Sequence, residues 1–586
     1  MPAAEKDLLK FNKELYTAAY DAVKPMHDEW ERNWRYFLGK QWERQTTIAK
    51  GEQVTVNLIF SLVQQSLAHQ TTARPTVRRK AFNPEDIEAV NGADFLNKLD
   101  PIVWEEQNLT NTFANSMFYA KLCRSAFIQR YYDPFINNAM GGYKVKARDP
   151  FTCFPDPSCF SEDIQNDCDF FILAEMKPMA FIRRMWPEKA DAIKSHAGES
   201  EGDERRAQRY GAESMLAGAP WYKLVDSSTY AYQGKMVSTE FDQKSYVTLF
   251  TTFVQTDFLD SEYKFWRKKG VNGVAGFVNE TVKTKWRQIT HVGNTILYDG
   301  PSRFYDGQLP LIHLTTATMP GSLWGVDEFS HLIPLQDLYN DLMSLIGIHT
   351  KKMVDPGIAY STNQITDETK FKKFLSGVRK IFPIKGAANT AIWQDRPQNL
   401  GPEAALLLEQ IPRMMENIIA QPEILQGLKP AGVKSGEALK ALAMNAMPRS
   451  NKQTLRFEEC VKDTVEKVML DYLVGQPMVV ERMVGQETMR FYPRDYVGLA
   501  LKTEVIPGSS LPSYADQKIE KIIGVATAIQ GMDPMLAQSI LKNTDIPELR
   551  DLLNQGAGMS PMPQQPGAPG GQQQPPGGAI NIPFAV

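Results

Sequence analysis

Apolar spacing along the chain alternates between a helical period and a strand period, and the switches mark its parts. Residues 1–45 repeat at three to four positions, with Tyr16, Tyr20, Trp30, Trp34, Phe37 and Trp42 as aromatic anchors. That spacing predicts a helix whose apolar face serves a neighbouring element or subunit. Residues 53–72 read as a short strand-like start followed by a second helix. Residues 84–131 continue as helices, with Pro84-Glu85-Asp86 as a first turn. From Tyr143 the alternation becomes twofold, ending in Asp-Pro turns within DPFTCFPDPSCF (149–160). Residues 176–193 look helical, 195–220 form a polar loop, and 221–315 read mostly as strands. Gly293-Asn294 marks a hairpin and Asp306-Gly307 a further turn before the strand LPLIHLTT.

The segment 320–349 joins this strand-rich half to a helix-rich half. A Pro-Gly turn and a Trp-Gly pair lead to a helix start at Asp327. Leu332, Leu335, Leu338, Leu342 and Leu345 then fall on one stripe, with Gln336, Asp337, Asn340, Asp341 and Ser344 on the other faces. On periodicity alone this is a core-facing helix with a polar, acidic back. Residues 354–398 carry short strands and a small helix at 367–376. Pro402 opens a second apolar helix that Pro412 should bend or interrupt. A Gly/Pro-rich loop (422–435) precedes a long helix capped by Ser435 and reaching Leu473, with a kink predicted at Pro448. Strand alternation returns over 488–506, short helices fill 513–554, and the Pro/Gln/Gly tail (555–586) cannot bury a core.

A chain of 586 residues exceeds one compact core, so several subdomains are expected in an α+β, mainly helical protein. Apolar residues make up 43% and charged residues 23%, an ordinary globular balance, and a formal charge of −3 argues against nonspecific adhesion to DNA. No apolar run is long enough to span a membrane, and the charged N-terminus lacks a signal-peptide core, so a cytosolic setting is expected. Cys123, Cys153, Cys159, Cys168 and Cys460 show no zinc-ligand spacing. A metal site at Cys153, Cys159 and Cys168 is conceivable, but buried free thiols are the better reading.

Candidate chemistry is sparse. There is no GxxxxGK[ST], GxSxG or HExxH, and Gly270, Gly273 and Gly276 lack the spacing of a nucleotide loop. His313, between Ile312 and Leu314, reads as a sheet histidine. Arg74, Arg78, Arg79 and Lys80 form a basic cluster, more simply a solvated one than a nucleic-acid contact. Glu162, Asp163, Asp167 and Asp169 could hold the metal of a nuclease, although acidic surface turns are much commoner. No cofactor is expected.

The order of elements resembles the portal (head-to-tail connector) proteins of tailed bacteriophages, closest to the larger portals of short-tailed phages. The residues that carry it are DPFTCFPDPSC (149–159), ILYDGPSRFYDGQLPLIHL (296–314) and above all GSLWGVDEFSHLIPLQDLYNDLMS (321–344), where Gln336, Tyr339, Asn340 and Ser344 hold family-like positions. The resemblance implies a ring, usually of twelve subunits, around a channel for double-stranded DNA at the capsid vertex, assembled in the host cytoplasm. It implies an α/β wing (1–325), a first stem helix (326–352), a clip (353–398), a second stem helix (399–421), a tunnel loop (422–435), a kinked tunnel helix returning to the wing (436–509) and a helical crown (510–554). The clip would dock the large terminase subunit and then the head–tail adaptor, with capsid and scaffolding proteins as further partners.

A helix over 326–351 would span about 39 Å and pass on the order of 23 phosphates of duplex DNA. It holds Asp327, Glu328, Asp337 and Asp341 against Lys351 alone, as a nonadhesive wall would. Lys429 and Lys434 in the loop are candidates for light phosphate contacts. A metal-dependent nuclease using the 162–169 acids, or another virion component, remains as the alternative.

Overall fold

The computed structural model describes residues 3–190, 246–256, 286–377, 401–419, 436–475 and 480–506, apart from a few short breaks, together with 193, 384–385 and 392–395. The Gly/Pro loop with Lys429 and Lys434, the Ser435 cap, Gly270, Gly273 and Gly276, the expected helices at 513–554 and the tail lie outside the described residues.

The first helix, α1 (Ala3–Phe37), buries Tyr16, Val23, Trp30, Trp34 and Phe37, with Tyr20 half-buried; it stops short of the expected 45, leaving Trp42 beyond it and half-buried. An extended stretch at 53–57 leads into α2 (Leu58–Thr71). After β1 (Val77–Ala81) come α3 (Ile87–Glu106), capped by the Asp86 carboxylate, and α4 (Leu109–Cys123). Helix was expected to run on to 131. It ends at Cys123, because Arg124 turns left-handed (φ 65°) and the chain leaves as β2 (Ser125–Asp133), whose first six residues are buried.

Strands β3 (Gly142–Arg148), β4 (Cys153–Pro155) and β5 (Phe170–Pro178) follow. The helix expected over 176–193 is shorter, because β5 pairs through Pro178 and only α5 (Met179–Met185) and α6 (Pro187–Ala190) remain. Strands β6 (Tyr246–Gln255), β7 (Trp286–Val292) and β8 (Thr295–Pro301) complete an antiparallel five-stranded sheet of order β4-β5-β6-β7-β8. Gly293 (φ 53°) makes the expected β7–β8 turn. Strand β9 (Leu311–Thr315) joins a three-stranded sheet of order β3-β2-β9.

The second half is α7 (Ile333–Val354), β10 (Gly357–Tyr360), α8 (Glu368–Leu375), β11 (Ile392–Asp395), α9 (Pro402–Ile418), α10 (Gly436–Gly475), β12 (Val480–Val484), β13 (Glu487–Phe491) and β14 (Leu501–Val505). Helix α9 continues through Pro412 rather than breaking there, and buries Ile411 and Met415. Pro448 lies inside α10.

One core joins both sheets to the helices, including Phe457, Val461, Val465 and Val468 of α10. Two buried arginines fasten that helix. Arg130 of β2 meets Asp471 at 3.1 Å and Asp306 at 2.7 Å, while Arg79 pairs with Asp100 and also reaches the Val465 carbonyl. Of the basic cluster only Arg79 is buried; Arg74, over the Trp104 ring, and Lys80, which meets Glu504, are exposed, so the cluster is largely a solvated one as expected.

Candidate functional site

The best candidate is the Trp-Gly motif with the helix below it. Gly321 (φ 81°) turns the chain, and Trp324 packs 5.3 Å from Trp30 and 5.9 Å from Phe127. Gly325 has a different reason for being glycine. A Cβ there would stand 2.6 Å from the Ala317 carbonyl oxygen and 2.9 Å from that of Arg124, closer than carbon can approach.

Asp327 does not start the long helix. It accepts from the amides of Phe329 and Ser330, holding a short 3-10 turn (Phe329–His331), and takes the Asn33 side-chain amide at 3.3 Å. Helix α7 begins six residues later at Ile333, with Pro334 in its first turn. Proline lacks a donor and tolerates only that turn, so a helix unbroken from 327 would have placed it in the interior.

The face that α7 buries is only partly the expected one: Leu335 and Leu342 pack half-buried against the core, but polar residues go deeper. Gln336, Asn340 and Ser344 are completely buried, whereas Leu338 and Leu345 are 43% and 52% exposed. The polar residues are buried because they bond the extended chain at 53–57 and the first amides of α2. The Val54 amide donates to Ser344 Oγ (2.9 Å), Val56 to Asn340 Oδ1 (3.1 Å), and Leu58 and Ile59 to Gln336 Oε1 (3.0 and 3.2 Å). Gln336 Nε2 returns a bond to the Val56 carbonyl at 2.8 Å.

The geometry follows from two repeats. Four helical residues rise about 6.0 Å and two extended residues about 6.6–6.8 Å. Side chains at i, i+4 and i+8 of a helix therefore meet every second amide of an antiparallel strap. Gln336 also caps α2 from outside, since the first amides of a helix lack internal partners.

Upstream residues close the clasp. Arg44 meets Asp341 at 2.5 Å and Asp337 at 3.2 Å, and Tyr36 Oη donates to Asp337 at 2.9 Å. Burial pushes the Asp337 carboxyl upward against the pull of Tyr36 and Arg44; burial, then Asp337, raises the Tyr36 phenol. Gln41 accepts from Asn340 Nδ2 at 2.5 Å. Nothing in the local pattern of residues 36–44 marks them as partners of a helix 300 positions away. The carboxylates expected to line a bore are thus engaged within the subunit, Glu328 by Gln453 at 2.8 Å. Tyr339 is half-buried against the core, and Lys351 is exposed in the last turn.

Residues 13–488 match the model of the phage P22-like portal protein family. The chain belongs to that family. The match takes in the Trp-Gly motif, α7, α9 and all of α10, so the clasp lies inside the portal-defining region. A comparison with curated proteins finds no significant match. Portal proteins of this family are structural components of the phage head–tail connector and its DNA-packaging apparatus, not an enzyme family.

The acids of the nuclease alternative make turns. Asp163 accepts from the Gln165 amide and the Asn166 side chain, Asp156 accepts from Asp169, and Glu162 pairs with Arg456 at 3.5 Å. Among the described residues no group of three or more His, Cys, Asp or Glu side chains is arranged to hold a metal ion. The five cysteines are buried and free. His313 lies in β9, stacked on Phe127, and burial lowers it to about 4. No helix among the described residues is long and apolar enough to cross a membrane.

Proposed function

We propose that this portal protein assembles as a closed ring, of twelve copies on the family pattern, enclosing the passage by which double-stranded DNA enters and leaves the capsid. The wing is then 1–325, the stem α7 with α9, the clip the segment between them, and α10 the tunnel helix rising behind the 422–435 loop. The single observation that carries the reading, beyond family membership, is apolar surface left open along both stem helices. Leu338, Leu345 and Met353 of α7 and Leu406 and Met414 of α9 are each more than 40% exposed. A lone chain gains nothing from that surface, whereas neighbours standing side by side would remove it from water.

Helix α7 would span about 33 Å and accompany on the order of 19 phosphates. With Asp337 and Asp341 tied to Arg44 and Tyr36, its inertness toward DNA rests on cations confined to its last turn rather than on repulsion. Lys429 and Lys434 remain the candidates for light phosphate contacts. The clip would receive the large terminase subunit and later the head–tail adaptor, with capsid and scaffolding proteins around the wing.

Negative-stain imaging and native mass spectrometry of the purified full chain test this. Rings with a central hole wide enough for duplex DNA are expected. Monomers under every assembly condition, sheets, or tubes would overturn it.

A further inference from the structure

A compact group of cations sits between β3 and β5. Lys146, Arg148 and Lys177 all converge on one oxygen, Glu175 Oε1: Lys146 at 3.7 Å, Lys177 at 3.5 Å, and Arg148 in direct contact. Among the described residues Glu175 is their only ion-pair partner, and Arg148 also donates to Gln129. Beside them Lys177 stands 5.3 Å from the Phe181 ring and Lys146 5.2 Å from Tyr131. Arg184, exposed, lies 4.3 Å over Phe135, which is itself 42% exposed. The other acids on these elements are Asp133, which accepts from the Phe135 amide, and Glu188 of α6. Cations therefore outnumber carboxylates. Burial, then Arg148 and its fellow lysine, lowers Lys146 to about 6, and burial with Arg148 lowers Lys177 to about 8. A cluster that suppresses its own charge gains from an added anion.

Burial selects what that anion belongs to. Arg148 is 8% exposed, Lys177 22% and Lys146 36%. The phosphates of a stiff duplex reach cations that project, whereas a single carboxylate side chain can reach partly buried ones. The chain carries a matching projection in the turn between β1 and α3. There Phe82 and Ile87 are 78% and 75% exposed, the most open large apolar side chains besides Val354 among the described residues, and the exposed Glu85 and Glu88 carry no ion pair there. Acidic and apolar on one side, basic and aromatic on the other, the two surfaces suit the head-to-tail contact that generates a ring.

We propose that the Phe82–Glu88 segment of one copy docks on the Lys146/Lys177/Arg184 patch of the next, placing a Glu85 or Glu88 carboxylate among the cations and Phe82 or Ile87 against Phe135 and Phe181. The inference rests on the ring reading above.

Charge reversal tests it on the full chain, with ring yield read by native mass spectrometry and folding by thermal melting. K146E/K177E is expected to lower ring yield on the order of tenfold or more, because like charges facing across an interface are strongly disfavoured. E85K/E88K, altered only on an exposed turn where folding is not at risk, should do the same. Combining all four changes in one chain should restore rings. Wild-type ring yield in E85K/E88K, or failure of the fourfold variant to recover while it melts as the wild type does, would overturn the contact. A wild type that never forms rings would instead overturn the ring reading, and this contact with it.

Discussion

The Val54 amide donates to Ser344 Oγ at 2.9 Å across 290 positions of chain, the lower rung of a ladder that ends at Gln336. Gln336→Leu keeps the volume and removes the acceptor, leaving the amides of Leu58 and Ile59 without it. Loss of a buried partner costs about 1–3 kcal/mol. A lower urea midpoint with an unchanged slope is expected, and Ser344→Ala, which strands one half-buried amide, should move it less. Equal midpoints for Gln336→Leu and the wild type would show that the strap does not hold the helix.

Gly325→Ala tests the close approach beneath Trp324. Both obstructing atoms are backbone oxygens, so the clash cannot be relieved by a rotamer change. Overpacking of this kind costs about 1–3 kcal/mol. Differential scanning calorimetry should show a clear drop in melting temperature, absent from Gly347→Ala, where a Cβ meets nothing.

Arg130→Met should do more damage than either Gln336→Leu or Gly325→Ala. It leaves Asp306 and Asp471 facing each other in the core, and breaking a buried pair costs about 3–5 kcal/mol. Arg130→Met combined with Asp306→Asn and Asp471→Asn should recover much of the loss in thermal melts, which a purely steric role for the arginine would not permit.

His27, His291 and His313 are each lowered to about 4 by burial. Between pH 6.5 and about 4 the unfolded chain takes up protons that the folded one refuses, so their contribution is present above 6.5 and is lost as pH falls. His27 lies 5.2 Å from Trp30 and 5.1 Å from Phe151, and its Nε2 has no hydrogen-bond partner among the described residues. His27→Phe keeps the ring contacts, and its melting temperature should fall less than the wild type's over that window.

Leu345→Lys places a charge on open α7 surface. The melting temperature of the unassembled chain should stay within a degree or two, because surface changes seldom exceed about 0.5 kcal/mol. Ring yield by mass photometry should collapse. A variant that assembles normally would locate the lateral contact elsewhere.

Much of the element order was legible because it rests on local chemistry. The Gly293-Asn294 turn, the small helix after residue 367 and the helix opened by Pro402 are each written within a few residues. The orientation of α7 was not. The leucines step by three and four and Gln336, Asn340 and Ser344 by four, both helical spacings, so periodicity defines two stripes without saying which one faces inward. The deciding partner is the backbone at 53–59, whose amides carry no side-chain signature. Strand β2 was missed for a related reason: Arg124 breaks α4 without a Gly or Pro to mark the change. The stem boundary at 327 was misread because the Asp327 carboxylate holds the amides of a 3-10 turn, Phe329 and Ser330, rather than those of the helix.

The clasp on α7 behaves as a vernier. Each step along it mismatches by about 0.6–0.8 Å, so a fourth rung would fall roughly 2 Å out of register, beyond what a hydrogen bond tolerates. The residue at that place is Ile348, which could bond nothing. Below the third rung the ladder no longer grips the rod, and what steadies its lower turns against the passing load is packing, to which α9 and residues 50–52 of the same chain contribute.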